Sequence, residues 1–547
     1  MQKDFSILIG GAAGEGSKKA GLIIAKLFSN YGYQIYIYED YQSLIRGGHN
    51  FSLIRASEKK VSGVKEKIDF LLALNEDTIE RHKKNVSNKK HIIFNSDKIS
   101  FNSGIGINIE KITKDLGGIP IMKNTALVAS FAKIVGIDWM TVKKVFKKEL
   151  PIATELNLKI AKEAYDQVDT VISVEKRKES PKPLVSGNEV IALGALEAGL
   201  DAYVSYPMTP ATGVLNYMAS VAAESKLTVF QPENEISVIN TAIGLAFSGK
   251  KTMIGTSGGG FGLMNEGISL SGQSETPLII VEAQRMGPST GVPTYSGQSD
   301  LLHVLSSGHG DFMRFIVAPG DADEAFLLSS LAVNVSWKYQ IPSIILSDKE
   351  LSESTFSFEK EKTESMKPLL WNKKGEYLRY KQTKDGISPL AFPGNKNVVV
   401  KGTSYEHDQK GIAVEDAKSI KEMQDKRIRK HKTLVKDLDK IKGVKVYGNK
   451  NSRKVIIFWG SVKGPALEAV EALKAKGIQI LIFQPFPEKQ IKKAIKGSNK
   501  IISVETNTTG QMAQVLKKYG IKVDRMILKY DGRPFSADDL IKKINKI

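Results

Sequence analysis

Residues 6–40 read SILIGGAAGEGSKKAGLIIAKLFSNYGYQIYIYED. An apolar run, Ile7 to Ile9, enters a glycine cluster at Gly10, Gly11, Gly14 and Gly16, and a helix-like stretch follows. A second strand-like run ends on Glu39 and Asp40. This is the outline of a dinucleotide-binding βαβ unit, with an acid where a ribose would be read. Taken strictly, the fingerprint fails. From Gly14 the register G-x-G-x-x-G meets Lys19 at the third glycine, and from Gly11 the second glycine is Ala13. The strand–turn–helix–strand order is kept, but the nicotinamide reading loses its motif, and Glu39 and Asp40 become ordinary strand-end acids.

The same alternation recurs along the chain. FLLALN (70–75) and HIIFN (91–95) are short apolar runs with polar ends, as in parallel strands. A charged stretch with two prolines, VEKRKESPKPLVSGNE (174–189), reads as a linker. Strand-like runs resume at AYVSYP (202–207), KTMIGTS (251–257), PLIIVEA (277–283) and PSIILSD (342–348). Residues 352–450 are charged and turn-rich around one expected helix at 414–439, and RKVIIFWGS, QILIFQPFP and KIISVETN then build a last α/β segment. The expected organisation is an N-terminal α/β domain over 1–175, a linker over 176–188, a middle α/β domain over 189–365, a connecting segment over 366–450 and a C-terminal α/β domain over 451–547.

A chain of 547 residues suits about three domains of roughly 150 residues. Hydrophobic content of 41% with 25% charged residues is that of an ordinary globular protein. No apolar run nears the roughly 18 residues that span a bilayer, and the start MQKDFSILIGG is not a signal peptide, so a cytoplasmic location is expected. The absence of cysteine excludes disulfides, thiolate zinc sites, a catalytic cysteine and cysteine-ligated iron–sulfur clusters in this chain. A net charge of +20 raises nucleic-acid binding, but the lysines are scattered and not interleaved with aromatics. A lysine-rich solvated surface is the plainer reading, and anionic substrates or an acidic protein partner also suit it.

Four stretches of the middle segment lie at strand ends, where open α/β sheets place ligands. In SYPMTPATG (205–213), prolines flank Thr209 ahead of a helix start. In QPENEISVINTAIGLAFSGKK (231–251), Glu233 and Glu235 precede an apolar helix. TSGGGFGLM (256–264) puts glycines between a strand and a helix, and in EAQRMGPSTGVPT (282–294) Arg285 leaves a buried strand for a Pro/Gly-rich loop. In this order they resemble the α subunit of the 2-oxoacid:ferredoxin oxidoreductases, with Met208 where the family's YPITP-type motif usually has isoleucine. IRGGHN (45–50) after GGAAGEG resembles the γ domain of variants in which γ is fused ahead of α. EHDQKG (406–411), WGSVKGPALEAV (459–470), VETNTTGQM (504–512) and YDGRPF (530–535) resemble the α subunit's C-terminal region.

The resemblance implies three α/β domains: a Rossmann-like γ domain, a thiamine-diphosphate-binding domain of the pyrimidine type and a transketolase C-terminal-like domain. Thiamine diphosphate needs a carboxylic acid against N1′ of its aminopyrimidine, in an apolar, water-poor pocket that strengthens the hydrogen bond. Glu235 matches the family's glutamate in that role, with Glu233 as its competitor; without the motif, either is an acid of a helix's first turn, favoured by the dipole. By resemblance, Arg285 and the hydroxyls of Thr209 and Thr294 face the substrate's 2-oxo-carboxylate, which a guanidinium binds bidentately. Tyr206, Pro207, Gly258 and Gly259 match cofactor-facing positions. The plain alternatives are a strand-end arginine and turn-forming threonines beside proline. Gly14, Gly16, Arg46, Gly47 and Gly48 would lie on the coenzyme A side, in a domain packed over the active site; a tight strand-to-helix turn explains the same glycines.

No Gly-Asp-Gly diphosphate and metal motif is present; Gly310-Asp311-Phe312 and Gly320-Asp321-Ala322 are the nearest approaches. The chain is thus expected to carry no metal ligand and only the aminopyrimidine-facing half of the site. A separate β subunit would supply the diphosphate contacts, Mg2+ and a 4Fe–4S cluster, in a heterodimer or a dimer of heterodimers, and a ferredoxin would take the electrons. The implied reaction converts a 2-oxoacid and coenzyme A to acyl-CoA, carbon dioxide and reduced ferredoxin, with 2-oxoglutarate or a broad range favoured over pyruvate. The other readings are an indolepyruvate or oxalate-type thiamine oxidoreductase, a nicotinamide-dependent dehydrogenase and a noncatalytic scaffold.

Overall fold

The computed structural model describes residues 3–44, 47–372, 374–396 and 398–547; Arg46 lies outside them. Three sheets, of eight, seven and five strands, are divided between two units. The first unit holds residues up to 185 together with 353–359 and 535–542. Its sheet runs from Ile105–Ile107 through Ile92–Asn95, Phe70–Ala73, Asp4–Ala13, Gly47–Ser57, Gln34–Asp40 and Thr355–Ser357 to Leu184–Ser186. Helix Ser17–Asn30 turns its apolar stripe to this sheet, so that Ile9, Ile24, Leu27, Phe28, Leu72 and Phe131 are buried together.

One feature of this sheet departs from the βαβ outline of residues 6–40. Strand Gly47–Ser57 is inserted antiparallel between Asp4–Ala13 and Gln34–Asp40, with Gly10, Phe51 and Asp40 in one register row. Asp40 therefore stands two strand spacings, about 10 Å, from the glycine turn. Glu39 is buried and accepts the Ser52 hydroxyl at 2.7 Å, and Asp40 accepts the Tyr38 hydroxyl at 3.2 Å. The acids belong to the sheet. Thr355–Ser357, expected in the middle domain, instead adds antiparallel to Gln34–Asp40.

The second unit holds 186–352, 360–534 and 543–547. Its larger sheet has the order Ile482–Gln484, Phe315–Val317, Pro342–Asp348, Leu278–Gln284, Thr252–Thr256, Ala202–Val204, Thr228–Phe230. Leu278–Gln284 and Pro342–Asp348 are buried along their whole length, which is why they read as continuous apolar runs. The smaller sheet is parallel except for Val444–Gly448, which pairs antiparallel with Lys476–Ile480 and extends the last α/β segment ahead of its expected start at 451. The run QILIFQPFP splits between sheets: Ile482–Gln484 leaves the small sheet and pairs antiparallel with Phe315–Val317 of the large one. One buried cluster consequently extends from Ile254, Ile280 and Ile344 to Ile457, Trp459 and Ile478.

Two ion networks brace this unit. Lys463 donates to Asp321 at 2.6 Å and Glu324 at 2.7 Å, and Gln479 donates to Glu324 at 2.6 Å. Asp321 also caps helix Ala322–Tyr339 by accepting the Glu324 amide. The sequence Gly320-Asp321-Ala322 is thus used as a helix cap and cross-link. The second network lies under helix Ala417–Leu438, whose buried stripe Met423, Lys426, Arg427, Lys430, Leu434 and Leu438 carries three cations. Glu275, 1% exposed, accepts Lys426 at 2.8 and 2.9 Å and also Lys430, with Arg427 at 3.9 Å. Within EHDQKG, Glu406 takes a two-pronged bond from Arg427 at 2.8 and 2.7 Å, and the buried His407 ring lies 3.7 Å from that of Tyr380.

Candidate active site

The C-terminal ends of four neighbouring strands of the second unit's larger sheet, from Leu278–Gln284 to the edge strand Thr228–Phe230, carry the four motifs. After Ala202–Val204, Ser205 donates its hydroxyl to the Gly255 carbonyl at 2.8 Å and ties the first motif to the neighbouring strand. Tyr206 and Pro207 are exposed, while Met208 and Thr209 are half-buried. Arg285 follows Leu278–Gln284, and its Nη1 donates to the Thr209 carbonyl at 2.8 Å. Burial lowers the guanidinium's pKa, and Asp300 opposes that shift. Arg285 and Thr209 are therefore in direct contact.

The loop after Arg285 folds back on itself. The Met286 amide donates to Tyr295 O at 3.0 Å, and the Val292 amide donates to Met286 O at 2.8 Å. Gly291 makes the return with φ +53°, where an added Cβ would lie 2.8 Å from the Met286 carbonyl carbon, so no side chain fits. These backbone bonds bring the buried Thr294 back beside the start of the loop. The Arg533 guanidinium, within YDGRPF, stacks 3.6 Å from the centre of the Tyr295 ring.

The two acids of ENE are placed differently. Asn234 caps helix Glu235–Phe247 by accepting the Ser237 amide at 2.9 Å. Glu233 is solvent-exposed and accepts the Ser237 hydroxyl, which lowers its pKa. Glu235 is 4% exposed, and its Oε1 has no hydrogen-bond partner among the described residues. A buried carboxyl oxygen left this way costs about 1–3 kcal/mol until something donates to it. That is the demand a thiamine N1′ would meet.

Beneath Glu235 lies a residue that the sequence reading passed over. A Cβ on Gly260 would fall 2.5 Å from Glu235 Oε1 and 2.7 Å from its Cγ, and would also strike Thr256 Oγ1. A Cβ on Gly258 would meet Asp300 Oδ2 at 2.7 Å, whereas one on Gly259 would meet nothing within 4 Å. Of the three glycines, Gly260 is the one whose missing side chain leaves room for the carboxyl. Gly260→Ala is expected to displace Glu235 and weaken thiamine diphosphate binding at least about tenfold, measured by cofactor titration of the full chain with its partner subunit. Unchanged affinity would separate the glycine from the cofactor. The third glycine of a strand–GGG–helix turn is a usable signal, since close approach beneath a functional side chain demands glycine.

Acids behind the site were also missed. Glu282, at the buried end of Leu278–Gln284, is 0% exposed with both carboxyl oxygens unpartnered among the described residues. Gln284 holds Asp300 close by, accepting the Asp300 amide at 3.0 Å. Gln298 links the large sheet to the small one: its amide and Oε1 bond the Thr506 backbone at 2.7 and 3.1 Å, and its Nε2 donates to Trp459 O at 3.1 Å. VETNTT and WGS are thus the joint between the two sheets. Among the described residues, no group of three or more His, Asp or Glu side chains could hold a metal ion. No described helix is long and apolar enough to cross a membrane.

The coenzyme-side candidates belong to the first unit. Ala13 pairs with Gly47 across the sheet, which sets Gly14 beside the start of strand Gly47–Ser57, whereas Gly16 faces Asn124 and Ile121 and Gly48 faces Gln42 and Leu44. Glu15 folds into this turn, accepting the Ala12 amide at 2.7 Å and Lys123 at 2.9 Å. One backbone amide of the glycine turn is thus already used within the turn.

Three family models match in chain order. Residues 6–167 match pyruvate ferredoxin/flavodoxin oxidoreductase, 193–426 match the thiamine diphosphate-binding domain of pyruvate flavodoxin/ferredoxin oxidoreductase, and 453–540 match core domain II of pyruvate:ferredoxin oxidoreductase. The 2-oxoacid:ferredoxin oxidoreductase subunit alpha of a Sulfolobus species is 32% identical across 99% of this chain and 96% of its own. The 2-oxoglutarate synthase subunit KorA of Methanothermobacter marburgensis is 30% identical over 66% of this chain and 97% of its own. The 2-oxoglutarate:ferredoxin oxidoreductase of Magnetococcus marinus, solved with 2-oxoglutarate, coenzyme A and succinyl-CoA bound, superposes with a TM-score of 0.91 at 27% identity, covering 100% of both chains.

Proposed function

Because the chain belongs to the 2-oxoacid:ferredoxin oxidoreductases as an alpha subunit, we propose that it supplies the aminopyrimidine and oxoacid half of a thiamine diphosphate site that a separate beta subunit completes. The observation that carries this reading is Glu235, a buried acid with one oxygen unpartnered above a glycine. Thiamine diphosphate, when bound, supplies the nucleophilic carbon and the electron sink for decarboxylation. Glu235 holds and returns the proton at N1′. Arg285 clamps the oxoacid's carboxylate, and its bond to the Thr209 carbonyl fixes the direction of the guanidinium. The hydroxyls of Thr209 and Thr294 complete the cradle, and Tyr206, Pro207, Gly258 and Gly259 flank the cofactor. The two middle strands, buried throughout, keep water from the reacting atoms.

The absence of cysteine supports placing the 4Fe–4S cluster on the beta subunit, with Mg2+ and the remaining diphosphate contacts, in a cytoplasmic heterodimer or dimer of heterodimers. Gly14, Gly16, Gly47 and Gly48 form the coenzyme A side. The substrate is 2-oxoglutarate or a broad set of 2-oxoacids, the reading supported by the relatives named for 2-oxoglutarate. Copurification with the beta subunit and ferredoxin reduction on pyruvate, 2-oxoglutarate and 2-oxoisovalerate tests the whole proposal. Turnover on none of the three, or activity of this chain alone, overturns it. Arg285→Ala is expected to raise the KM for the oxoacid about 10- to 100-fold, the worth of one or two charged hydrogen bonds, while thiamine diphosphate affinity holds. The reverse pattern assigns Arg285 to the cofactor.

A further inference from the structure

Glu282 is the buried group that the mechanism above does not use. It lies in one register row with Thr256 and Leu346, on neighbouring parallel strands, so these side chains share a face of the sheet. Gln284 is on the same face two residues on; it receives the Asp300 amide and donates to the Ser347 carbonyl at 3.0 Å. Asp348 is in the register row of Gln284 and accepts the Ser461 hydroxyl at 2.7 Å and the Leu351 amide at 2.9 Å.

The charged groups that act on Glu282 are Asp300 and Asp348, and Arg285 and His303 in turn act on Asp300. Burial raises Asp300 and Asp348 as well, but three kinds of donor oppose the shift at Asp348 and the charges of His303 and Arg285 oppose it at Asp300, whereas Glu282 has no donor among the described residues. A carboxyl buried without a donor or cation keeps its proton rather than its charge. Burial, then the two neighbouring acids, push the Glu282 carboxyl well above the usual carboxylate range.

We propose that Glu282 is a positioning residue of the oxoacid site: it stays neutral so that Asp300 is the carboxylate balancing Arg285, and its ionisation at alkaline pH spoils oxoacid binding. This rests on the reading of Arg285 as the carboxylate clamp. Ionised Glu282 adds a second negative charge next to that of Asp300, the acid that acts on the guanidinium. The guanidinium then attracts an incoming carboxylate less, and the cluster itself repels the substrate. The effect falls on KM and spares kcat.

Two measurements test it. In the complex with the beta subunit, the wild-type KM for the oxoacid should climb at alkaline pH, towards about tenfold per pH unit, while kcat stays level. Glu282→Gln, which is neutral at every pH, should flatten that climb. Infrared spectra of the full chain at neutral pH should show a protonated-carboxyl carbonyl band that Glu282→Gln removes. An alkaline climb that persists in Glu282→Gln, or protonated-carboxyl absorption that this substitution leaves undiminished, overturns the proposal. Where Glu282→Gln unfolds, Asp300→Asn serves instead: removing the neighbouring charge should shift the climb to lower pH, because Glu282 then ionises more easily, and an unmoved climb counts against the proposal. The infrared arm needs no turnover, so the proton on Glu282 and the oxoacid reading fail separately.

Discussion

Glu235→Gln is expected to cut ferredoxin-linked turnover by about 10²- to 10⁴-fold while the complex still assembles, the span commonly lost with one acid–base group. The amide matches the carboxyl in size and is 4% exposed at the same helix start, so packing is retained. It cannot pass a proton to and from N1′. Single-turnover kinetics with saturating cofactor isolate the effect from binding, and Glu233→Gln supplies the contrast. Glu233 is exposed and bonded to Ser237, so its loss should change turnover by less than about twofold. Equal damage from both substitutions, or normal turnover by Glu235→Gln, would remove Glu235 from the proton path.

Glu275→Gln should cost about 3–5 kcal/mol of the second unit's stability, read by denaturant unfolding of the full chain. Glu275 is the carboxylate between Lys426 and Lys430, and all three side chains are at most 2% exposed. Removing its charge strands Lys426 and Lys430 in the interior, while Arg427 keeps its two-pronged bond to Glu406. Lys430→Met should change stability by no more than about 1.5 kcal/mol, since the remaining lysine still pairs the carboxylate and methionine fills a similar volume. Matching losses from the two substitutions would contradict this asymmetry. The pH dependence has a definite sign. Burial, with the neighbouring cations, brings Lys430 down to about 7, well under an ordinary lysine. Between about pH 7 and the ordinary lysine value, the unfolded chain holds a proton that the folded chain lacks, so this group's contribution to stability rises with pH. Glu275 is held well below the usual carboxylate range, so its contribution is present above that range and is lost on acidification. Lys430→Met should reduce the alkaline rise to the share of Lys426, which burial also lowers, and leave the acid loss.

The motifs made the proposed site legible because the chemistry proposed for it asks for particular residue types at strand ends, and strand ends show as apolar runs meeting glycine or proline. Glu235 and Arg285 could be named, and the geometry then separates Glu235 from Glu233 by burial, which no spacing encodes. Gly260 and Gly258 look alike in TSGGGF; only the atoms above them distinguish their tasks. Lys426 and Lys430 read as solvated positions of a charged helix, because their partner Glu275 lies about 150 residues earlier in the chain. The inserted strand Gly47–Ser57 was illegible for a related reason. Its apolar alternation fits either sheet direction, and the pairing that parts Gly10 from Asp40 is a long-range choice.

The crossing of Ile482–Gln484 into the larger sheet has a consequence for assembly. That strand covers the outer edge of Phe315–Val317, at the end of the sheet order. In a chain that has not finished folding, or in one cut between 440 and 450, the edge stands open with its amides unpaired, and an equivalent strand from another copy satisfies it as well as its own. Exchange of the last hundred residues between two chains would then give an entangled dimer with every native contact intact.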